Sequence, residues 1–224
     1  RNTANVTSFS DLLEREREFM TVESLLAMNQ NWGLAFYLGA NDIKVINQIS
    51  SSIDSICNHY DVSQGYIPYR KSDLIKIYGK EEGERIVKER LWHSLQPLDN
   101  TYIQEIYGRD ITKYSYHSTG EYVKYGKHLA CYVDLKFFNS SRLLVREITN
   151  PQIIACLLDE LFVNDPQLIS VIVRDERYSL EFLWGILNSK LATYYHFHHT
   201  PKATKGAFPK ILVQDIKGFP LPIA

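Results

Sequence analysis

Residues 168–195 read LISVIVRDERYSLEFLWGILNSKLATYY. They set a strand and a helix in tandem. Leu168-Ile169-Ser170-Val171-Ile172-Val173 is rich in β-branched residues and reads as a strand. Ser179 then offers an N-cap hydroxyl. Leu180, Leu183, Trp184, Leu187, Leu191 and Tyr194 or Tyr195 recur along one face, which predicts a helix running through all of them.

Toward the N-terminus, Leu143-Leu144-Val145-Arg146-Glu147-Ile148 is a second strand, and residues 155–162 are ambiguous between a buried strand and a short helix. Residues 102–132 hold seven of the chain's 15 tyrosines. Within them, residues 113–117 and 122–125 flank the turn residues Ser118-Thr119-Gly120, which predicts a hairpin or meander. Earlier still the period becomes helical. Ile43, Ile46, Ile49, Ile53 and Ile56 follow a cap at Asn41 or Asp42, and further helices are predicted from Ser72 to Tyr78 and from Glu81 to Leu91. Ser10 caps a short charged helix, and residues 32–38 read as a strand or a buried turn. Helices, then strands, then a helix give an α+β class, with mixed helices around a strand-rich central part.

Composition fits this reading. The chain has 224 residues, 45% apolar and 23% charged, with a formal net charge of −1. Such values exclude a disordered chain. No apolar run approaches the roughly 18 residues of a membrane span, and no secretory signal opens the chain. Cys57, Cys131 and Cys156 are odd in number and widely spaced, so reduced thiols and a cytoplasmic setting are expected. Residues 1–100 hold 11 basic and 14 acidic side chains, and residues 101–224 hold 14 and 12. A nucleic-acid footprint must therefore be a local patch. The start at Arg1 leads us to expect a piece of a larger polypeptide.

Motifs for independent chemistry are sparse. There is no glycine-rich phosphate loop, no G-x-S-x-G elbow and no zinc spacing of Cys and His. His196, His198 and His199 read as a polar helix end rather than a metal site. The pairs Asp159-Glu160 and Asp175-Glu176 read as solvated surface. Asp134-Leu135-Lys136 is half of a metal-dependent nuclease motif, which makes a stand-alone nuclease one alternative reading. A protein-interaction module using the tyrosine-rich sheet is another.

Several phrases, in order, resemble a known family. They are Gln64-Gly65-Tyr66, Gly108-Arg109-Asp110-Ile111-Thr112-Lys113-Tyr114 and Arg142-Leu143-Leu144-Val145-Arg146-Glu147-Ile148. Leu183-Trp184-Gly185-Ile186-Leu187-Asn188-Ser189-Lys190-Leu191 follows, then Phe208-Pro209-Lys210-Ile211 and Ile216-Lys217-Gly218-Phe219-Pro220-Leu221-Pro222. Together, over about residues 24–222, they resemble the C-terminal specificity domain of TaqI-like adenine-specific DNA methyltransferases and of fused methylase–endonuclease restriction enzymes. The resemblance implies a DNA target-recognition domain over residues 1–224, with an N-terminal helical part at 1–63 and a strand-rich recognition core with its C-terminal helix at 64–224. It implies double-stranded DNA and an upstream methyltransferase domain of the same polypeptide as partners. It implies no cofactor in this piece, and S-adenosylmethionine in the parent enzyme. The family's Asn-Pro-Pro-Tyr catalytic motif is absent, because Asn150-Pro151 is followed by Gln152. The piece is therefore expected not to methylate by itself.

Candidate DNA contacts fall in two sets. Arg109, Lys113, Arg146 and Lys190 lie in the matched phrases and are expected to serve the scaffold or the phosphates, because base readers must vary between enzymes of different specificity. Arg70, Lys71, His117, Lys124, Lys202, Thr204 and Lys205 lie in polar segments between phrases and are the candidates for base contact. Asn188 is expected to be a helix-surface or packing residue.

Overall fold

Leu143, Leu144 and Val145 are consecutive, and all three are fully buried. A strand can bury every side chain only when both of its faces are covered, which defines the layering of this protein. The computed structural model describes residues 23, 38–52, 54–118, 120–175, 177–200, 203 and 209–222. Arg142–Arg146 is strand β6, the third in a sheet ordered β2-β9-β6-β7, with β2 at Tyr60–Gln64, β7 at Ala155–Leu158 and β9 at Leu168–Val173. All its pairings are antiparallel, with Leu144 opposite both Ser170 and Cys156.

One face of this sheet carries Leu143, Val145, Ala155, Ile169 and Val171, which pack into a cluster with helix residues. The helices are α1 (Ala40–Ser50), α5 (Leu180–Leu187), α6 (Lys190–His199) and α7 (Val213–Lys217). The other face carries Leu144, Cys156, Leu158 and Leu168, which pack with Ile106, Ile111 and Phe162. There a second sheet lies, ordered β3-β5-β4-β8: His93–Ser94, Tyr122–Lys124, Tyr102–Ile106 and Val163–Asn164. Its β4–β8 pair is parallel. A third cluster around Tyr66, Val123, Tyr125 and Phe138 fills the space by that sheet. Strands β1 (Asp54–Ser55) and β10 (Pro220–Leu221) form a small ladder, and α2 (Ile56–His59) leads into β2. Helices α3 (Lys71–Tyr78) and α4 (Lys80–Glu89) form a hairpin joined at Gly79, whose φ of +83° suits glycine. The architecture is α+β, as the sequence predicts.

The structure differs from the sequence reading in several elements. The partners of β5 are β3 and β4, not residues 113–117, which form a hydroxyl-stabilised turn with Thr112 Oγ1 accepting from the Ser115 N–H at 3.1 Å. The long helix is two: Asn188 ends α5, and the Ser189 hydroxyl caps α6 by accepting from the Ala192 N–H at 3.0 Å. Residues 155–158 resolve as a strand. Helix α1 is capped from Gly39, and Asp42 stands at its third position, accepting the Gly39 N–H at 3.1 Å. Strands begin at β1 and β2, within the stretch read as helical, and β2 crosses positions 63 and 64. The readings of residues 32–37 and of the Ser10 helix lie outside the described residues. Cys57, Cys131 and Cys156 are unpaired. Among the described residues, no helix is long and apolar enough to cross a membrane.

Two buried ionic groups brace the frame. Arg142 is fully buried, and its guanidinium donates to the carbonyls of Ser140, Glu160 and Phe162 at 3.2, 3.0 and 2.7 Å. Burial lowers its pKa to about 10, which leaves it charged at neutral pH. His59, also buried, lies between Asp54 (2.6 Å from Nε2) and Asp175 (2.8 Å from Nδ1), with the Tyr178 ring edge-on at 4.5 Å. Burial pulls the imidazole pKa down, but the hydrogen bonds to Asp54 and Asp175 outweigh it and raise the pKa overall. Bonds from Asn58 and His59 hold Asp54 down at about 2, and a bond from His59 holds Asp175 at about 2.

The triad therefore stabilises most between two limits. Its carboxylate part is complete above about pH 4 and is lost toward pH 2. Its imidazolium part is complete below about pH 6.5 and is lost as pH rises through the elevated folded value. The melting temperature of a His59→Gln variant should lie below that of the wild type at pH 5–6, and the gap should narrow as pH is raised to 9. A gap that is constant across this range in thermal melts would contradict the assignment.

Candidate nucleic-acid interface

The segment after β4 makes a one-turn 3₁₀ helix, Gly108–Asp110, because the Asp110 carboxylate accepts the Tyr107 N–H at 2.9 Å and closes the turn. The turn packs closely. A Cβ on Gly108 would stand 3.3 Å from the Gln167 side-chain oxygen and 3.5 Å from Arg146 Cγ. Asp110 is fully buried, while Arg109 beside it is 71% exposed, its guanidinium over the Tyr107 ring at 4.8 Å. The His117 N–H donates to the Asp110 carbonyl at 2.9 Å, and His117 is itself exposed. Arg146 is half-buried and donates from Nε to the Ile148 carbonyl at 3.3 Å. His117 is thus tied by its backbone to the turn that carries Arg109, and the Arg146 side chain packs against the same turn. The charge at this turn is compensated in part, since Asp165 lies there too. Burial, with the Glu105 and Glu147 carboxylates, holds Asp165 up at about 6 against the hydrogen bond from the Gln167 N–H and the weaker pull of Arg109.

A second node joins residues 113–114 to the α5–α6 break. The Lys113 ammonium donates to the Asn188 carbonyl at 2.7 Å, so this cation is turned onto a helix end. The Trp184 indole and the Asn188 amide both donate to the carbonyls of Lys113 and Ala155. Tyr114, 74% exposed, meets Trp184 edge-on at 5.7 Å. Lys190, two residues after Asn188, is exposed at the first position of α6. Asn188, expected on a helix surface or in packing, is buried and hydrogen-bonded at four points.

Register places Lys124 on the outer face of the second sheet. It stands opposite Tyr102, while Val123 points inward opposite Ile103 and His93. Tyr122 lies opposite both Gln104 and Ser94 on the outer face. Lys124 and Lys127 are exposed, and among the described residues neither has a carboxylate within ion-pairing distance. Arg70 and Lys71 are neutralised locally, by Asp73 at 2.9 Å and by Glu84 at 3.1 Å. Lys202, Thr204 and Lys205 lie outside the described residues. The described contacts do not join all the predicted cations into one patch.

Three of the tyrosines in residues 102–132 are committed to hydrogen bonds within the protein. Tyr107 donates to Glu105 and approaches Glu121, Tyr116 donates to Glu160 at 3.0 Å, and Tyr125 is buried and donates to the Val133 carbonyl at 2.5 Å. Asp134 does not meet Lys136 as a metal site requires. Its carboxylate caps the short helix Leu135–Phe137 through the Lys136 N–H, and the Lys136 ammonium pairs with Asp61 at 3.1 Å. Among the described residues, no group of three or more His, Cys, Asp or Glu side chains is placed to hold a metal ion. Sequence reading leaves Lys136, Arg174 and Lys217 out of the DNA-contacting set, yet they line one concavity. They are far apart in sequence, so no local pattern signals their meeting.

No curated protein matches the chain. A family match covers residues 103–221, which takes in the Gly108 turn, the Arg142 strand, the Trp184–Asn188 node and the C-terminal Pro220-Leu221, and leaves Gln64-Gly65-Tyr66 outside. With more than half of its length so matched, the chain belongs to the TaqI-like C-terminal specificity domain family.

Proposed function

We propose that this chain is the target-recognition part of an adenine-specific DNA methyltransferase. It binds double-stranded DNA, and the S-adenosylmethionine chemistry belongs to a methyltransferase domain upstream in the same polypeptide. The family match carries the reading, since this family serves DNA sequence recognition in methyltransferase-type proteins.

The physical rationale is a division of labour. A methyl-accepting amine inside a duplex is reachable only when its base is flipped out. A second element that holds the phosphates and inspects the grooves fixes which base is presented. The exposed Arg109, His117, Lys124, Lys127 and Lys190 supply cations and a hydrogen-bonding ring for that role. The hydrogen-bonded nodes around Gly108 and Asn188 give those loops a rigid base.

The chain should bind a labelled duplex in the roughly 10⁻⁴ to 10⁻⁶ M range, with affinity falling steeply as salt rises. A titration at about 50 mM and 200 mM salt checks this. Absence of binding at the lower salt contradicts the reading.

A further inference from the structure

We propose that the concavity formed by Lys136, Arg174 and Lys217 is a phosphate-binding site that grips the DNA backbone. This rests on the DNA-binding reading above and names a place where the contact is made.

The half-open concavity offers about 250 Å³, room for a phosphate. Its floor is β2, and its cations come from three separate segments: Lys136 from the short helix Leu135–Phe137, Arg174 just past β9, and Lys217 from the last position of α7. Against three cations the lining offers one carboxylate, Asp61. Asp61 lies 3.1 Å from the Lys136 ammonium and 3.6 Å from the Arg174 guanidinium, so it holds the two heads near each other. Arg174 is fixed further by donating to the Cys57 carbonyl at 2.5 Å. Lys217 has no carboxylate within ion-pairing distance among the described residues.

The charge excess distinguishes this place. Arg70, Lys71, Arg90 and Lys210 each have their own carboxylate. Here Lys136 and Arg174 share one carboxylate and Lys217 has none within ion-pairing distance among the described residues, and a concave wall of low dielectric strengthens the residual positive field. A tetrahedral anion with several acceptor oxygens complements such a set, with the guanidinium fork offering paired donors. Inorganic phosphate, a nucleotide and a phosphodiester share this chemistry; the proposal commits to the phosphodiester of a duplex.

The test uses the full chain and a labelled duplex across a salt series. The double variant Lys136→Gln, Lys217→Gln should lower the slope of log affinity against log salt by about 1.8, which is 0.9 for each lost contact. Each loss alone should weaken binding roughly eight-fold at 0.1 M salt, the factor a slope of 0.9 gives over a tenfold span, and equally for any sequence. Cys57, exposed and among the lining residues, gives a readout that needs no substitution: duplex should slow its alkylation by a maleimide.

Unchanged slope and affinity in a folded double variant, with the wild type binding, overturn the site and leave the DNA reading standing. A wild type that binds no duplex overturns both. Protection of Cys57 by millimolar inorganic phosphate but not by duplex overturns the commitment to DNA.

Discussion

Replacing Gly65 by alanine should cost about 3 kcal/mol or more, on the order of 10 °C in melting temperature. The added methyl has nowhere to go. Built on the native backbone, it would stand 2.0 Å from the Asp165 carbonyl oxygen, 2.2 Å from that of Asn164 and 2.4 Å from the Asp165 carbonyl carbon. These are backbone atoms, so no rotamer change relieves the contact, and the two strands of chain must separate. What separates is the weld between the sheets. The Gly65 N–H donates to the Leu168 carbonyl at 3.1 Å, and the Tyr66 N–H to the Asn164 carbonyl at 3.0 Å. Here the chain leaves β2 of the first sheet and sends Tyr66 into the core beside the second. At the same place residues 165–167 carry it from β8 back to β9. Both crossings pass through one contact, so a shift there moves one sheet against the other. Gly185→Ala is the control: nothing lies within 4 Å of its added methyl, it sits inside α5, and the same chemical change should raise stability by up to about 1 kcal/mol. Thermal melts of the two variants decide the matter. A Gly65→Ala protein melting close to the wild type would show that the two crossings yield easily.

How far the fold is legible follows from where its interactions come from. Strands β6 and β9 announce themselves because both faces of their sheet are covered, so apolar side chains run without interruption. The β4–β5 pair is obscured because residues 107–121 intervene, and because residues 113–117 imitate alternation while being held by the Thr112 hydroxyl. The break at Asn188 is present as Asn188-Ser189, a helix end followed by a cap, but the apolar period runs through it. The phrases Gly108–Tyr114 and Leu183–Leu191 stand out as units of sequence. That they are bonded to each other, through Lys113, Trp184 and Asn188, is a tertiary fact no spacing encodes. The same holds for Lys136, Arg174 and Lys217. Surface cations carry no periodic signature, since water solvates a lysine equally well wherever the chain leaves it.

The largest effect on the interface itself should come from Asn188. β7 is an edge strand, paired with β6 on one side, and Ala155 turns its N–H and carbonyl to the other. The Asn188 amide meets them as a neighbouring strand would: its Oδ1 accepts the Ala155 N–H at 3.0 Å, and its Nδ2 donates to the Ala155 carbonyl at 2.8 Å. Asn188→Ala leaves the buried Ala155 N–H bare, while the Ala155 carbonyl keeps the Trp184 indole, an expected loss of roughly 1–3 kcal/mol. Asn188→Asp keeps the shape and should be the worse of the two at neutral pH. One carboxylate oxygen still accepts from Ala155, but the other faces the carbonyls of Ala155 and Lys113, which offer only lone pairs. A buried carboxylate so placed is stabilised by taking up a proton, which restores a donor to the Ala155 carbonyl. The Lys113 ammonium on the residue's own carbonyl opposes this shift, but with burial and the two carbonyls prevailing the folded pKa should lie above the unfolded value of about 3.9, so the aspartate variant should be most stable below that value and lose stability as pH rises through the folded one. The wild type has no such dependence at this position. Chemical denaturation of the wild type, Asn188→Ala and Asn188→Asp at pH 4.5 and pH 7.5 should therefore show the aspartate variant falling from near the wild type to below alanine. The same node holds the turn that carries Lys113 and exposed Tyr114. Duplex affinity should fall with both variants even at temperatures where they remain folded, because a loosened turn must be ordered again on binding. Equal stability of the aspartate variant at the two pH values would mean that the amide donates to nothing that matters.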